Sequence, residues 1–213
     1  MEHSRVLIAD DHTLVAELCK QLLEPEFKVV GIVGDGRALV QAASQLMPDV
    51  IIVDVSMPVL NGLDATEILK KDVPKVKIIF LTVTDDVDVA VEAFSRGASG
   101  YLLKTCAASE LLTAVRTVLR GEKVLSPTIS RHTVDFLLRR RNTLVDEKER
   151  LTARQREVLQ LLAEGKVMKQ VAWTLNMSTR TVAFHKYRIM DVLGAESDAD
   201  LIKYAIRNHM VDA

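Results

Sequence analysis

Five short apolar runs constrain this chain more than any other feature: Val6–Ala9, Val29–Val33, Val50–Val53, Ile78–Leu81 and Tyr101–Leu103. They are continuous rather than alternating, the pattern of strands buried on both faces. Between them apolar residues return at helical spacing: Leu14, Leu18 and Leu22; Leu39, Ala43 and Leu46; Leu63 with Ile68 and Leu69; Ala90 with Phe94; Leu111, Val115 and Leu119. Strands alternating with helices predict a doubly wound α/β fold around a five-stranded parallel sheet. That domain is expected over residues 1–121, with Gly121 closing its fifth helix.

The remainder changes character. Ser126-Pro127 reads as an N-cap followed by proline at the first helical position, and Thr128–Arg141 has helical spacing with three arginines at its end. Residues 142–150 are polar and charged, so 122–150 is expected to be a partly helical linker. From Leu151 the pattern is wholly helical, predicting a small all-α domain over 151–213. Thr152 caps a helix that stops near Gly165; a short helix and the turn Asn176-Met177-Ser178 follow. Ser178 then caps a helix of about Thr179–Leu193, and Gly194 precedes a last helix carrying Leu201, Ile202, Ala205 and Ile206. Two short helices around a tight turn make a helix-turn-helix.

Charge divides along the same line. Residues 1–125 hold 13 Lys+Arg against 18 Asp+Glu, whereas 126–213 hold 15 against 11, so a chain of net charge −1 carries a basic C-terminal part. Such asymmetry points to a polyanionic partner for that part. No apolar run approaches the roughly 18 residues needed to cross a bilayer, and the N-terminus shows no secretory signal, so no membrane association is expected. Cys19 and Cys106 stand far apart in sequence without Cys-x-x-Cys spacing, which argues against a disulfide framework or a zinc site. A reducing cytoplasm is the expected setting.

Ligands of parallel sheets bind beyond the carboxyl ends of the strands. Those positions are occupied by Asp10 and Asp11 after the first strand, Asp54 after the third, Thr82 after the fourth and Lys104 after the fifth. Three clustered carboxylates call for a cation, and hard oxygen ligands with incomplete enclosure favour Mg2+. With a cation and an ammonium nearby, an aspartate can act as nucleophile toward a phosphoryl group, whose oxygens a hydroxyl and a lysine would receive. Gly31-Ile32-Val33-Gly34-Asp35-Gly36 has the wrong spacing for a dinucleotide loop and follows the second strand, so these read as turn glycines. His12 reads as a cap or solvent contact.

The motifs Ile8-Ala9-Asp10-Asp11-His12, Val53-Asp54-Val55-Ser56-Met57-Pro58 with Asn61-Gly62, Leu81-Thr82 and Gly100-Tyr101-Leu102-Leu103-Lys104 resemble a bacterial two-component receiver domain. The resemblance implies that Asp54 is the phosphoacceptor, and that Asp11, Asp54 and the Ser56 carbonyl hold Mg2+ with Asp10 acting at second hand. It further implies that Thr82 and Lys104 contact the phosphoryl group, and that Tyr101 turns inward with Thr82 on activation. Thr105 stands where receivers usually have proline.

On a wheel of 100° per residue, Val182, His185, Ile189, Val192 and Leu193 share the inward face of the helix starting at Thr179. Arg180, Ala183, Phe184, Tyr187 and Asp191 share the opposite face, with Arg188 at its edge. A recognition helix presents such a face to the major groove. Seven basic residues over 151–194, against three acidic ones, suit phosphate contacts. The segment Leu151-Thr152-Ala153-Arg154-Gln155-Arg156-Glu157-Val158-Leu159, with Val171-Ala172, Thr181-Val182, His185 and Leu193-Gly194, resembles the LuxR-type helix-turn-helix of the NarL/FixJ-like regulators. The DNA-binding set this implies is Lys169, Thr179, Arg180, Ala183, Phe184, Lys186, Tyr187 and Arg188. The chain departs from the family at Val167-Met168-Lys169-Gln170, where Ser-Asn-Lys-Glu is common, at Ala183 and Tyr187, where lysines are usual, and at Asp198, often arginine.

Together these readings predict a phosphorylation-dependent transcription regulator, partnered by a sensor histidine kinase and double-stranded DNA, and homodimeric when active. It is expected not to be an enzyme beyond slow self-dephosphorylation. An aspartate-nucleophile phosphohydrolase would need an acid where Ser56 stands. The alternative reading is a protein-interaction regulator whose altered recognition helix docks on a partner protein.

Overall fold

The computed structural model of the chain describes residues 4–106, 108–129 and 151–211. Strands β1 (Arg5–Ala9), β2 (Lys28–Val33), β3 (Val50–Val53), β4 (Lys77–Thr82), β5 (Gly100–Leu103) and β6 (Val124–Leu125) alternate with helices α1 (Thr13–Leu23), α2 (Gly36–Leu46), α3 (Gly62–Asp72), α4 (Val87–Ser95) and α5 (Ala108–Leu119). All pairings are parallel, in the order β2-β1-β3-β4-β5-β6. Among the described residues the sheet has six strands, the five expected ones and a short sixth. β6 adds two residues beside β5, and the Val124 and Ser126 N–H groups donate to Ser99 and Tyr101 carbonyls. Ile129 joins the core beneath α2, α3 and α4, so the first domain continues past Gly121.

Each strand feeds two cores, because successive side chains point to opposite faces. Leu7, Ile51, Val53, Ile78 and Phe80 pack under α2–α4, whereas Val6, Ile8, Val50, Ile52 and Ile79 pack under α1 and α5. Strand order reverses direction between β1 and β3, opening a crevice at their carboxyl ends. Local capping fixes where helices begin: Asp35, Asn61 and Asp86 side chains accept from backbone N–H groups of the first turns of α2, α3 and α4.

Helices α6 (Ala153–Ala163), α7 (Met168–Thr174), α8 (Thr179–Leu193) and α9 (Asp198–Arg207) enclose a third core built on Val158, Leu159, Leu161, Val171, Val182, Ile189 and Leu201. Thr152 and Ser178 cap α6 and α8 as the sequence predicts, and Gly165 and Gly194 follow α6 and α8 at φ +81° and +62°. On α9, Leu201 and Ala205 are buried, but Ile202 and Ile206 lie on an exposed face. The helix expected over Thr128–Arg141 and the linker over 142–150 fall outside the described residues but for Thr128 and Ile129.

Candidate functional site

The crevice gathers the residues the sequence nominated. Asp10 and Asp54 are 5% and 4% exposed at the ends of β1 and β3, while Asp11 lies in solvent. Lys104 reaches across from the end of β5, its Nζ 2.6 Å from Asp54 Oδ2 and 2.8 Å from Asp10 Oδ2. Burial pushes the Asp54 carboxyl above the ordinary range, aided by Asp10 and opposed by Lys104 and the Thr82 hydroxyl. Burial would lower Lys104, but its hydrogen bonds and attraction to Asp10 and Asp54 raise it instead. The ammonium therefore remains charged between two carboxylates.

Asp10, Asp11, His12 and Asp54 offer ligand atoms within 4.8 Å of one another. Asp54 Oδ1 is buried and has no hydrogen-bond partner among the described residues. An orphaned carboxylate oxygen in an acidic cluster is the donor set a hard divalent cation requires. His12 adds its Nδ1 2.9 Å from Asp11 Oδ1 while its ring stays largely in solvent. Ser56 is half-buried on the loop leaving Asp54.

Thr82 is fully buried, its Oγ1 accepting from the Thr84 N–H at 3.3 Å. Tyr101 is also fully buried: it stands inward, with its hydroxyl donating to the Thr84 carbonyl at 2.8 Å. The inward position is thus realised in this structure. Beside Lys104 an apolar cavity of about 560 Å³ lies between α1 and α5, lined by Val15, Leu18, Cys19, Leu22, Cys106 and Leu111 among others. The two cysteines, distant in sequence, share this cavity as free thiols.

The second candidate surface lies on α7 and α8. Lys169, Thr179, Arg180, Phe184, Tyr187 and Arg188 are exposed and Ala183 is half-buried. Phe184 and Tyr187 are 63% and 69% exposed, and Trp173 on α7 reaches 86%. Two of the nominated cations are engaged locally: Lys186 pairs with Asp198 at 2.6 Å, and Arg188 with Asp191 at 3.2 Å. The acid at 198 thus ties up a lysine of α8. His185 is half-buried, edge-on to Phe184 with ring centroids 5.8 Å apart.

A third set was not nominated: the residues joining the two domains. Gln160 of α6 is 1% exposed; its Nε2 donates to the Met57 carbonyl at 2.8 Å and its Oε1 accepts from the Asn61 N–H at 2.8 Å. Glu164 Oε1 accepts from the Val59 N–H at 2.9 Å. Arg156 spans to Asp64 and Glu67 at 2.5 and 2.6 Å, while Arg96 also binds Asp64 at 2.6 Å. Arg37 pairs with Glu157 at 2.5 Å, and His209 lies 3.3 Å from Asp86. One signal was available: Gln160 is a lone polar residue between Val158-Leu159 and Leu161-Leu162, a run of five positions that covers more than one face of a helix.

Comparison with known proteins matches this geometry. The model of the response regulator receiver domain covers residues 6–116, and that of bacterial regulatory proteins of the luxR family covers 149–205. Oxygen regulatory protein NreC of Staphylococcus carnosus is 34% identical over 215 residues, spanning 98% of this chain and 99% of that protein. Transcriptional regulatory protein MctR of Rhizobium johnstonii is 30% identical over 209 residues, spanning 97% and 95%. Among solved structures, the RcsB response regulator of Salmonella typhimurium superposes with a TM-score of 0.62 at 30% identity, over 96% and 97% of the two chains. RcsB solved as two dimers bound to two parallel DNAs gives 0.56 at 30% identity, over 95% and 98%. These relatives do not favour the reading in which the helix-turn-helix docks on a partner protein. Receiver pocket and helix-turn-helix, each in its expected place along one chain, make this protein a member of the two-component response regulators that carry a LuxR-type DNA-binding domain.

Proposed function

We propose that the protein accepts a phosphoryl group on Asp54 from a sensor histidine kinase and, in response, regulates transcription by binding double-stranded DNA through α8. The observation that carries this reading is the buried, unpartnered Asp54 Oδ1 beside Lys104. An Asp54 carboxylate oxygen attacks phosphorus, the bond from phosphorus to the donor's imidazole nitrogen breaks, and that nitrogen takes up a proton. Lys104 pairs with Asp54 and Thr82 is buried at the end of β4, which supports assigning both to receive the phosphoryl oxygens and stabilise their charge. Asp11, Asp54 and the Ser56 carbonyl, with Asp10 behind them, would hold Mg2+, which when bound offsets negative charge on the phosphoryl group. Tyr101 acts as the switch aromatic beside Thr82. The protein is a phosphoryl acceptor rather than an enzyme, its turnover limited to slow self-dephosphorylation.

On DNA, Arg180 and Phe184 face the bases, and Lys169, Thr179 and Arg188 serve the backbone. Ala183 and Tyr187 contribute apolar contact, and Lys186 reaches a phosphate only when Asp198 releases it. A homodimer would present two reading helices to a two-fold site, and Ile202 and Ile206, one turn apart and 39% and 36% exposed, offer an apolar face for pairing. Among the described residues no helix is long and apolar enough to cross a membrane, and a DNA target places the site of action in the bacterial cytoplasm.

Incubation with acetyl phosphate and a magnesium salt should place on the wild-type chain a label that base and hydroxylamine remove, and none on Asp54→Asn. Undiminished label on that variant would overturn the assignment. Gel retardation of genomic fragments tests the DNA half; absence of retention with and without phosphodonor would overturn it.

A further inference from the structure

The loop behind Asp54 is held from outside its own domain. Gly62 has no room for a side chain, since a Cβ there would lie 2.0 Å from the Asp54 carbonyl oxygen. A Cβ on Gly36 would lie 2.0 Å from the Leu60 carbonyl oxygen, so the loop is also wedged against the start of α2. Between these close approaches Val59 adopts φ +70°, a conformation in which a β-branched residue is an outlier. Such backbone persists only where its surroundings over-determine it. Here the surroundings are the loop's own turn, in which the Leu60 N–H donates to the Pro58 carbonyl at 2.8 Å, and side chains of α6. Gln160 grips the Met57 carbonyl and the Asn61 N–H, Glu164 grips the Val59 N–H, and Val59 itself packs on the core of the helical domain. The Asn61 side chain also donates to Gln160 Oε1 at 3.2 Å, so both ends of one amide are spent on one loop.

We propose that Gln160 is a positioning residue of the phosphorylation site: with Glu164 it clamps the Met57–Asn61 backbone, so that the docked DNA-binding domain slows phosphorylation of Asp54. The proposal rests on the reading of Asp54 as the phosphoacceptor. The clamp begins one residue after Ser56, whose carbonyl belongs to the cation site in that reading. Backbone that must adjust to a cation and a phosphoryl group is pinned at three points by another domain. Releasing the clamp lets Val59 leave the left-handed region and lets the loop yield. Linkage makes the effect mutual: a phosphoryl group that favours the yielded loop weakens docking by the same factor.

The test measures initial rates of labelling by acetyl phosphate on the full chain. The variants are Gln160→Leu, Glu164→Ala, Val59→Gly, the Gln160→Leu/Val59→Gly pair and Asp54→Asn, each checked for folding by circular dichroism. Gln160→Leu and Glu164→Ala should each label more than twofold faster than wild type. Glycine adopts positive φ without strain, so the loop of Val59→Gly no longer depends on the clamp. The Gln160→Leu acceleration should therefore shrink to less than half in that background, a coupling that mere loss of domain packing would not produce. Should Gln160→Leu fail to fold, Glu164→Ala, alone and paired with Val59→Gly, carries the same comparison. A rate gain of twofold or less in the folded variants, or an equal gain in both backgrounds, would overturn the proposal. Label on Asp54→Asn would instead remove the phosphoacceptor reading beneath it, which a blank Asp54→Asn with flat Gln160→Leu rates would not.

Discussion

Arg156→Ala should loosen the two domains by a calculable amount. Its guanidinium spans the interface with Nε 2.5 Å from Asp64 and Nη2 2.6 Å from Glu67. Asp64 is only 3% exposed, so that bond has the full worth of a charge-assisted hydrogen bond, about 1.5–3 kcal/mol. Glu67 is 34% exposed, and solvent screening reduces its pair to roughly 0.5 kcal/mol. Arg96 stays on Asp64 after the substitution, so no bare buried carboxylate adds a further penalty. Docking should weaken by about 2–3.5 kcal/mol, or roughly 30- to 400-fold. Two amides report it directly: Val59 N–H and Asn61 N–H are bonded only to side chains of the other domain, so opening the interface exposes them. Their hydrogen exchange should accelerate by that factor in Arg156→Ala, while β3 amides keep their wild-type rates. Acceleration below about threefold would refute the reasoning, because the arginine would then add nothing to docking.

Burial pushes the Cys19 thiol up to about 11, reinforced by Asp10. At pH 8 its thiolate fraction is about a hundredfold below that of an ordinary thiol, so its alkylation, followed by mass spectrometry, should lag free cysteine by that factor and speed up with rising pH; parity at pH 8 would contradict this. Tyr187→Lys places an ammonium on the exposed face of α8, so DNA affinity should rise and the log–log salt slope steepen by about one if it meets phosphate. Asp198→Asn should free Lys186 and strengthen DNA binding at low salt with little change in thermal midpoint, since Asp198 is 69% exposed. Equal retardation by wild type and this variant would show that Lys186 does not reach DNA.

The pocket was legible because its chemistry repeats a positional rule: Asp10, Asp11, Asp54, Thr82 and Lys104 each follow a strand that declares itself by an uninterrupted apolar run. β6 was not legible, because Val124-Leu125 is too short for any period to register. The helices of the C-terminal domain were visible through Thr152, Ser178 and their closing glycines, whose conformations are local properties. The interface was hidden for the opposite reason. Asp64, Glu67, Arg156 and Glu157 sit on helices as ordinary charged residues would, and only tertiary approach pairs them. The exposure of Ile202 and Ile206 was not legible either: apolar spacing on α9 marks two faces, and nothing in the sequence says which one the core takes.

The bareness of α8 bears on how such a regulator would find its target. With Phe184, Tyr187 and Arg180 in solvent while α6 is seated on the receiver, the docked chain keeps the face proposed to read DNA available. Loose, sequence-independent association with the phosphate backbone, which lets a protein slide and hop, would then not wait for a signal. Under the proposed function, unphosphorylated copies would already patrol the chromosome. Signalling would change how long they linger at an operator more than how often they arrive.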